Sequence, residues 1–247
     1  MSRNPRGLSE SGIYHIMFRG SNKQQIFLNN WDYEELLKTL ASLKAELEFE
    51  VFAYCLMTNH VHFVIKEKNL GEISIIMHRL LTKYARWFNL KYDRTGTLLE
   101  GRYRSQIVDN DEYFLHLIRY VHQNPLKAKL AESLTEYRWS SYNDYLTEKK
   151  NLTDTAFLYG MMSREEFEGF HNQDEECDFT LFDNSKRSDF ELLVSLKNLK
   201  IMSVEELKVL MITDPAKFHV VIDELKKQFS DRHIARVTGI SRYKLNK

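Results

Sequence analysis

The sequence has little cysteine, no long apolar run and no excess of either charge. Cys55 and Cys177 are its two cysteines among 247 residues, and their spacing fits neither a disulfide framework nor a cysteine metal knuckle. The first residues lack an apolar signal core, and no run approaches the roughly 18 apolar residues of a membrane span. We therefore expect a soluble, cytoplasmic protein with no membrane partner.

The charges balance globally but not locally. With 35 basic and 35 acidic residues, the net charge gives no reason to expect a nucleic-acid partner. Between Arg79 and Arg104, however, seven basic residues accompany two acids, a local charge of +5 (seven minus two). This stretch is a candidate polyanion surface, although an ordinary solvated helix face has the same composition.

Hydrophobic patterning divides the chain into three regions. Residues 1–150 alternate strands with helices, 151–190 are acidic, and 191–247 are helical towards the end. The pattern predicts strands at 12–20, 48–57 and 60–66, helices at 32–47, 72–90 and 111–125, and a strand or hairpin at 96–108. Pro125 should close the third helix. The acidic region is expected to be a solvated linker or helix face.

Two histidines occupy neighbouring same-face positions of an apolar strand. His60 and His62 lie in HVHFVIK, and side chains two apart on a strand are roughly 6 to 7 Å apart, close enough to converge on one ion. The same spacing fits two buried histidines hydrogen-bonded to their neighbours. The strand alone leaves both interpretations open.

A tyrosine and an amide share one face of the third predicted helix. Tyr120 and Asn124 are four residues apart, a spacing that brings side chains together on a helix. Facing the histidines, they would supply a nucleophile and a third metal ligand. Alternatively, Tyr120 packs in the core beside Leu117 and Val121, and Asn124 only ends the helix.

Three sequence blocks resemble, in order and spacing, the single-tyrosine HUH transposases, and most closely the REP-associated tyrosine transposases. The blocks are AYCLMTNHVHFVI, GRYRSQIVDNDEYFLHLIRYVHQNPLKAKL and YRWSSYNDY. The resemblance implies an α+β fold, with an antiparallel sheet flanked by helices as in ferredoxin and RNA-recognition-motif domains. Here a smaller all-α C-terminal region follows it.

The resemblance also implies roles for the site residues. His60, His62 and Asn124 would bind a divalent metal, and Tyr120 would attack DNA to form a 5′-phosphotyrosine. Imidazole ligands favour zinc or other transition metals, whereas open phosphate sites usually hold magnesium or manganese. Following the family, we expect magnesium or manganese. Relatives include monomers and domain-swapped dimers, so a homodimer is one expected assembly.

DNA contacts are expected from several basic or polar side chains of the catalytic region. Basic grooves with aromatic platforms commonly hold single strands. The candidates are Arg19, Asn22, Lys23, Arg79, Lys83, Arg86, Arg102 and Arg104.

The C-terminal sequence SDRHIARVTGISRYKLNK resembles a helix-turn-helix. Ala235 would be the small residue of the first helix, Gly239 the turn, and Ile240 and Leu245 core positions. The second helix would present three side chains to a major groove. These are Arg242, Tyr243 and Lys244.

The sequence thus predicts three regions: a catalytic domain over 1–150, an acidic linker over 151–190 and a DNA-binding region over 191–247. The leading hypothesis is a metal-dependent strand transferase that acts on single-stranded or hairpin DNA. One alternative is a domesticated protein that binds repeat hairpins or operators without cutting. Another is a metal-dependent phosphodiesterase in which Tyr120 is only structural.

Overall fold

The chain forms two compact units, Met1–Cys177 and Asp178–Lys247. The computed structural model describes residues 7–147, 152–172, 192–193, 195–201 and 203–245. The first unit extends past the boundary placed at residue 150, because residues 152–172 include helices that pack on it. Within the acidic region, Glu165, Glu166 and Glu168 lie on a helix, whereas the acids from 174 to 178 lie outside the described residues.

A four-stranded antiparallel sheet forms the centre of the first unit. Its strands are β1 (Ile13–Arg19), β2 (Glu50–Leu56), β3 (His60–Lys66) and β4 (Arg104–Ile107). Their spatial order is β2-β3-β1-β4, and every neighbouring pair is antiparallel. The predicted α+β class with an antiparallel central sheet is confirmed.

Helices cover both faces of this sheet. On one face lie α1 (Asn30–Leu47) and α2 (Ile73–Lys91), whose apolar residues join those of the strands in one core. Asn29 caps α1 in a capping box with Asp32, which satisfies backbone donors at the helix start. The opposite face packs against α3 (Asp111–Lys127).

The strand register places both histidines on the face that α3 covers. Met17 of β1 pairs with His62, and Arg19 pairs with His60. Residues two apart on a strand share a face. His15, Met17 and Arg19 therefore line the same surface as the two histidines, while alternate residues such as Phe63 enter the opposite core.

The third helix does not end at Pro125 as predicted but continues to Lys127. Proline lacks the N–H that would bond to Val121, and it usually breaks a helix for that reason. The Nδ2 of Asn124 donates to the carbonyl oxygen of Tyr120 at 2.8 Å and lies 3.5 Å from that of Val121. Backbone hydrogen bonds continue after the proline, since Ala128 donates its N–H to Asn124 and Leu130 donates its N–H to Pro125.

The stretch predicted as a strand or hairpin at 96–108 is mostly a loop. Only Arg104–Ile107 pairs as a strand, apart from an isolated bridge between Leu99 and Gly20. Gly96 and Gly101 adopt φ values of 90° and 57°, a left-handed conformation that ends regular pairing.

Short elements after α3 complete the first unit. They are α4 (Tyr142–Tyr145), α5 (Ala156–Tyr159) and α6 (Arg164–His171). Residues 139–141 run along the outer edge of β2, where Leu56 donates its N–H to Trp139 and Ser141 donates its N–H to Tyr54. The edge strand is thereby covered.

The second unit is helical where it is described. It contains α7 (Val204–Thr213), α8 (Pro215–Lys226), α9 (Asp231–Thr238) and α10 (Arg242–Leu245). Gly239 has φ 68° between the last two helices, and Ile240 and Leu245 are buried. No helix within the described ranges is long and apolar enough to cross a membrane.

Candidate active site

Tyr120 lies beside the histidine pair within one chain. Its ring centroid is 5.6 Å from that of His62, and the two rings meet edge to face. The His62 ring is in turn 5.1 Å from the His60 ring. The alternation of β3 and the packing of α3 on the same face bring these three side chains together.

Hydrogen bonds orient both imidazoles through their Nδ1 atoms. His60 Nδ1 lies 2.7 Å from Oδ1 of Asn59, whose Nδ2 donates to the carbonyl oxygen of Lys23. His62 Nδ1 lies 3.1 Å from Nε2 of His15. When Nδ1 carries the proton, Nε2 of each histidine keeps its lone pair for a metal.

Burial keeps these imidazoles neutral. Desolvation, together with a smaller effect of the nearby Arg19 charge, lowers the pKa of His60 to about 4. Desolvation also places the pKa of His62 well below its usual value, with smaller contributions from His15 and His60. Neutral imidazole is the form that binds metals, so no proton has to be removed at pH 7.

The donor set fits a divalent metal only if an amide takes part. Within the described part of the chain, no three His, Cys, Asp or Glu side chains are grouped so that they could hold a metal ion. Asn124 is one helical turn beyond Tyr120, and its Nδ2 is engaged by backbone carbonyls. Its Oδ1 is therefore the oxygen that would join two imidazole nitrogens around a divalent cation.

Two residues near the tyrosine were missed by sequence reasoning. His15 packs against Tyr120 with ring centroids 6.2 Å apart, and Lys127 places its Nζ 5.3 Å from the centre of the Tyr120 ring. Lys127 follows Tyr120 by seven residues, which is two helical turns on the same face. That spacing could have identified the lysine, whereas His15 becomes visible only once β1 is known to pair with β3.

Comparison with known proteins shows that part of this chain is similar to transposases. A family model described as "Transposase IS200 like" matches residues 9–124, a segment that contains His60, His62, Tyr120 and Asn124. Residues 9–124 are therefore similar to IS200-like transposases. The predicted resemblance to tyrosine transposases is confirmed.

Two further proteins are similar to this chain over a longer segment than the family model. The chain is 21% identical over 154 residues to a Haemophilus influenzae protein named as a REP-associated tyrosine transposase, covering 58% of this chain and 86% of that protein. It is also similar to the structure of a REP-associated tyrosine transposase bound to a REP hairpin. That match has a TM-score of 0.51 and 17% identity, and it covers 62% of this chain and 94% of the other. At this identity the structural match shows the shared fold alone.

Four of the predicted DNA contacts lie at the histidine end of the transposase domain. Arg19 is opposite His60 across the β1 and β3 pair, and Arg104 is opposite Met17. Arg19 also forms an ion pair with Glu100. Asn22 and Lys23 are exposed in a short 3-10 turn. Asn59, the residue before His60, donates from its Nδ2 to the carbonyl oxygen of Lys23 and so holds this turn near the histidine.

The basic residues of α2 lie on the other side of the sheet. Arg79 forms an ion pair with Glu46, and Lys83 and Arg86 are exposed. Arg86 and Arg102 line a groove of about 500 Å³ between α2 and the loop 96–103. The structure thus places α2 on the sheet face opposite the histidines, and it brings Arg86 of this helix together with Arg102 of the loop.

The predicted contacts of the second unit are all exposed on its last helix. Arg242, Tyr243 and Lys244 point outwards, with 71% of Tyr243 accessible. Leu245 and Ile240 anchor the helix in the core of that unit. Recognition of DNA by these side chains stays a prediction.

Proposed function

We propose that this protein is a metal-dependent DNA strand transferase that cuts and rejoins single-stranded or hairpin DNA through a covalent 5′-phosphotyrosine at Tyr120. The observation that carries the proposal is the contact between the Tyr120 ring and His62, 5.6 Å between centroids, within one chain. A core tyrosine would need no imidazole partners, whereas a nucleophile for phosphate needs a cation beside it.

The nucleophile needs help to ionise. A free phenol has a pKa of about 10, so forming its anion at pH 7 costs on the order of 4 kcal/mol. The Lys127 ammonium, 5.3 Å from the centre of the ring, opposes part of that cost by attraction to the developing charge. A bound divalent cation, held by His60, His62 and Asn124, would supply Lewis-acid polarisation of the phosphate.

The covalent step balances without an energy cofactor. Tyr120 Oη attacks phosphorus in line, the Oη–P bond forms and the bond from phosphorus to the 3′ oxygen breaks. The proton lost from the phenol is matched by the proton that the released 3′ oxygen takes up. Attack by a different 3′ hydroxyl reverses the step and joins new ends.

The path of the DNA strand is proposed to run from the metal site to the groove beside α2. Leu99, which borders the groove, bridges to Gly20, and Arg19 pairs with His60. Two strand spacings, about 10 Å, therefore separate the groove backbone from the first histidine. An apolar floor with Arg86 and Arg102 at its rim suits a base and its phosphate.

The second unit is proposed to contact duplex DNA through Arg242, Tyr243 and Lys244. Their exposure on a short helix after the Gly239 turn supports this role. The nucleophile and the two histidines come from one chain, so a single copy brings them together. A homodimer stays a prediction.

Trapping the covalent intermediate tests the proposal. Full-length protein is incubated with labelled single-stranded hairpin oligonucleotides and manganese, then separated by denaturing electrophoresis. We expect a protein-DNA adduct that disappears in Tyr120→Phe and with chelator, while Tyr120→Phe still binds DNA. Tyr113→Phe, which removes a hydroxyl two turns earlier on the same helix, is the matched control and should keep the adduct.

Each other outcome identifies a different function. Cleavage without any adduct in the wild type would favour a metal-dependent phosphodiesterase. Hairpin binding with neither cleavage nor adduct would favour a non-cutting DNA-binding protein. An adduct that persists in Tyr120→Phe would show that another side chain is the nucleophile.

A further inference from the structure

A third buried histidine touches the proposed metal ligands. His15 of β1 is fully buried, and its ring stacks on that of His62 with centroids 5.3 Å apart. Its Nε2 lies 3.1 Å from His62 Nδ1. Its other ring nitrogen, Nδ1, is buried with no hydrogen-bond partner among the described residues.

Only one arrangement of protons in this pair leaves His62 able to bind a metal through Nε2. If His15 Nε2 carried the proton, His62 Nδ1 would accept it, and the His62 proton would then sit on Nε2 and block that lone pair. If His62 Nδ1 carries the proton, it donates to His15, and Nε2 is open. The proton of His15 then sits on its Nδ1.

We propose that His15 is a positioning residue that accepts the Nδ1 proton of His62 and so fixes the tautomer and ring orientation of that ligand. The inference rests on the proposed metal-dependent function. Metal-bound histidines in proteins commonly donate their second N–H to such a partner. His60 has the equivalent partner in Asn59 Oδ1, so each ligand is held at Nδ1 by its own acceptor.

The cost of His15 to the fold argues against a role in packing alone. A buried nitrogen without a partner destabilises the folded protein. The neighbouring positions on the same face of β1 are Ile13 and Met17, both apolar and buried. An apolar residue at position 15 would fill the same space without leaving a ring nitrogen unpaired.

Metal affinity in graded variants tests the inference. Manganese binding to the full-length protein is measured by calorimetry and electron paramagnetic resonance for wild type, His15→Leu, His15→Gln and Met17→Leu. We expect His15→Leu to weaken manganese binding by about 10- to 100-fold. His15→Gln should recover most of that loss, since its amide oxygen can accept from His62 Nδ1. Met17→Leu, opposite His62 in the register, should bind as wild type does.

A second measurement uses the wild-type protein, so its result does not depend on whether a variant folds. Nitrogen-15 NMR of histidine side chains in the magnesium-bound protein should show protons on Nδ1 of both His62 and His15. Wild-type manganese affinity in folded His15→Leu would overturn the positioning role alone. A proton on His62 Nε2 would overturn the positioning role and would also remove His62 from the proposed metal ligands. Absence of any manganese or magnesium binding by the wild type would overturn the proposed function as well.

Discussion

Burial and metal binding place compatible demands on an imidazole, because both favour its neutral form. Desolvation lowers the pKa of His15 to about 3 and that of His60 to about 4. Metal ligation also requires the deprotonated ring. A sheet face that excludes water therefore keeps these imidazoles in the neutral form that binds a metal.

Sequence periodicity could identify the residues of the candidate site, but it could not predict the contact of His15 with His62. Strand alternation puts His60 and His62 on one face, and helical spacing puts Tyr120 and Asn124 on another, so local periodicity identifies the groups. The contact of His15 with His62 depends on the strand order β2-β3-β1-β4. Strand order is set by packing of the whole sheet, which no short window of sequence contains.

The arginines of the groove beside α2 give a prediction at the same scale. Neither Arg86 nor Arg102 forms an ion pair with any described residue, whereas Arg79 on the same helix is already paired with Glu46. Arg86→Gln and Arg102→Gln should each weaken single-stranded DNA binding and reduce the slope of log K against log salt by about 1. Arg79→Gln is the matched control.

Binding titrations of a fluorescent oligonucleotide at several salt concentrations measure these slopes. We expect the Arg79→Gln slope to stay close to that of the wild type. If all three variants have the same slope as the wild type, the strand does not pass through the groove.

At the scale of elements, the block YRWSSYNDY acquires a structural explanation. Residues 139–141 cover the edge of β2, and Ser141 lies 2.7 Å from Nε2 of His122 on α3. His122 Nδ1 is 2.9 Å from Nε2 of His171, whose Nδ1 donates to the carbonyl oxygen of Phe167. This buried chain of hydrogen bonds ties β2, the tyrosine-bearing helix and α6 together.

Element boundaries show where sequence patterns stop being informative. The pattern located β1, β3, α1 and α2 to within two residues, because each has a clear apolar period. It also placed the end of α3 within two residues, but it put Pro125 at the helix end, whereas the helix continues through this proline to Lys127. The pattern also predicted a strand or hairpin over 96–108, where only Arg104–Ile107 is a strand. Gly96 and Gly101 adopt left-handed backbone angles, and composition does not predict these angles.

The last helix of the second unit carries a prediction of its own. Arg242→Gln and Tyr243→Ala remove exposed side chains and should leave the fold intact. If this helix enters a major groove, Arg242→Gln should weaken duplex binding by about 1 to 3 kcal/mol. Cleavage of a short single-stranded oligonucleotide should not change, and Lys217→Gln, an exposed basic residue of α8, should behave as wild type in both assays.

A mobility-shift assay with duplex and single-stranded probes separates the two effects. Unchanged duplex binding in both variants would assign the second unit to a role other than DNA contact.

At the scale of the molecule, four buried histidines and the partly buried His60 make the first unit sensitive to acid. Their pKa values are all lowered by burial, and for His171 the value is about 4. The unfolded chain has histidines near 6.5, so it takes up protons first as the pH falls. Stability is therefore complete above about pH 6.5 and declines towards pH 4, by up to about 1.4 kcal/mol per pH unit for each histidine.

The three tryptophans allow this prediction to be measured in the first unit alone. Trp31, Trp87 and Trp139 all belong to it, so denaturant unfolding followed by tryptophan fluorescence reports that unit. Without added metal, the free energy of unfolding should fall between pH 6.5 and 4.5. His171→Gln should be less stable at pH 7 and show a shallower fall, whereas His78→Asn, at an exposed position, should follow the wild-type curve. A flat wild-type curve would contradict the assignment.

The covered edge of β2 also determines how short a working protein can be. The transposase match ends at residue 124, but the backbone groups that close the sheet come from residues 139–141. A chain shortened to residue 130 would present an open strand edge, which invites pairing with the edge of another copy. Such a fragment should aggregate. An intact first unit therefore requires residues well past the matched segment, including His171 of α6, which is hydrogen-bonded to His122.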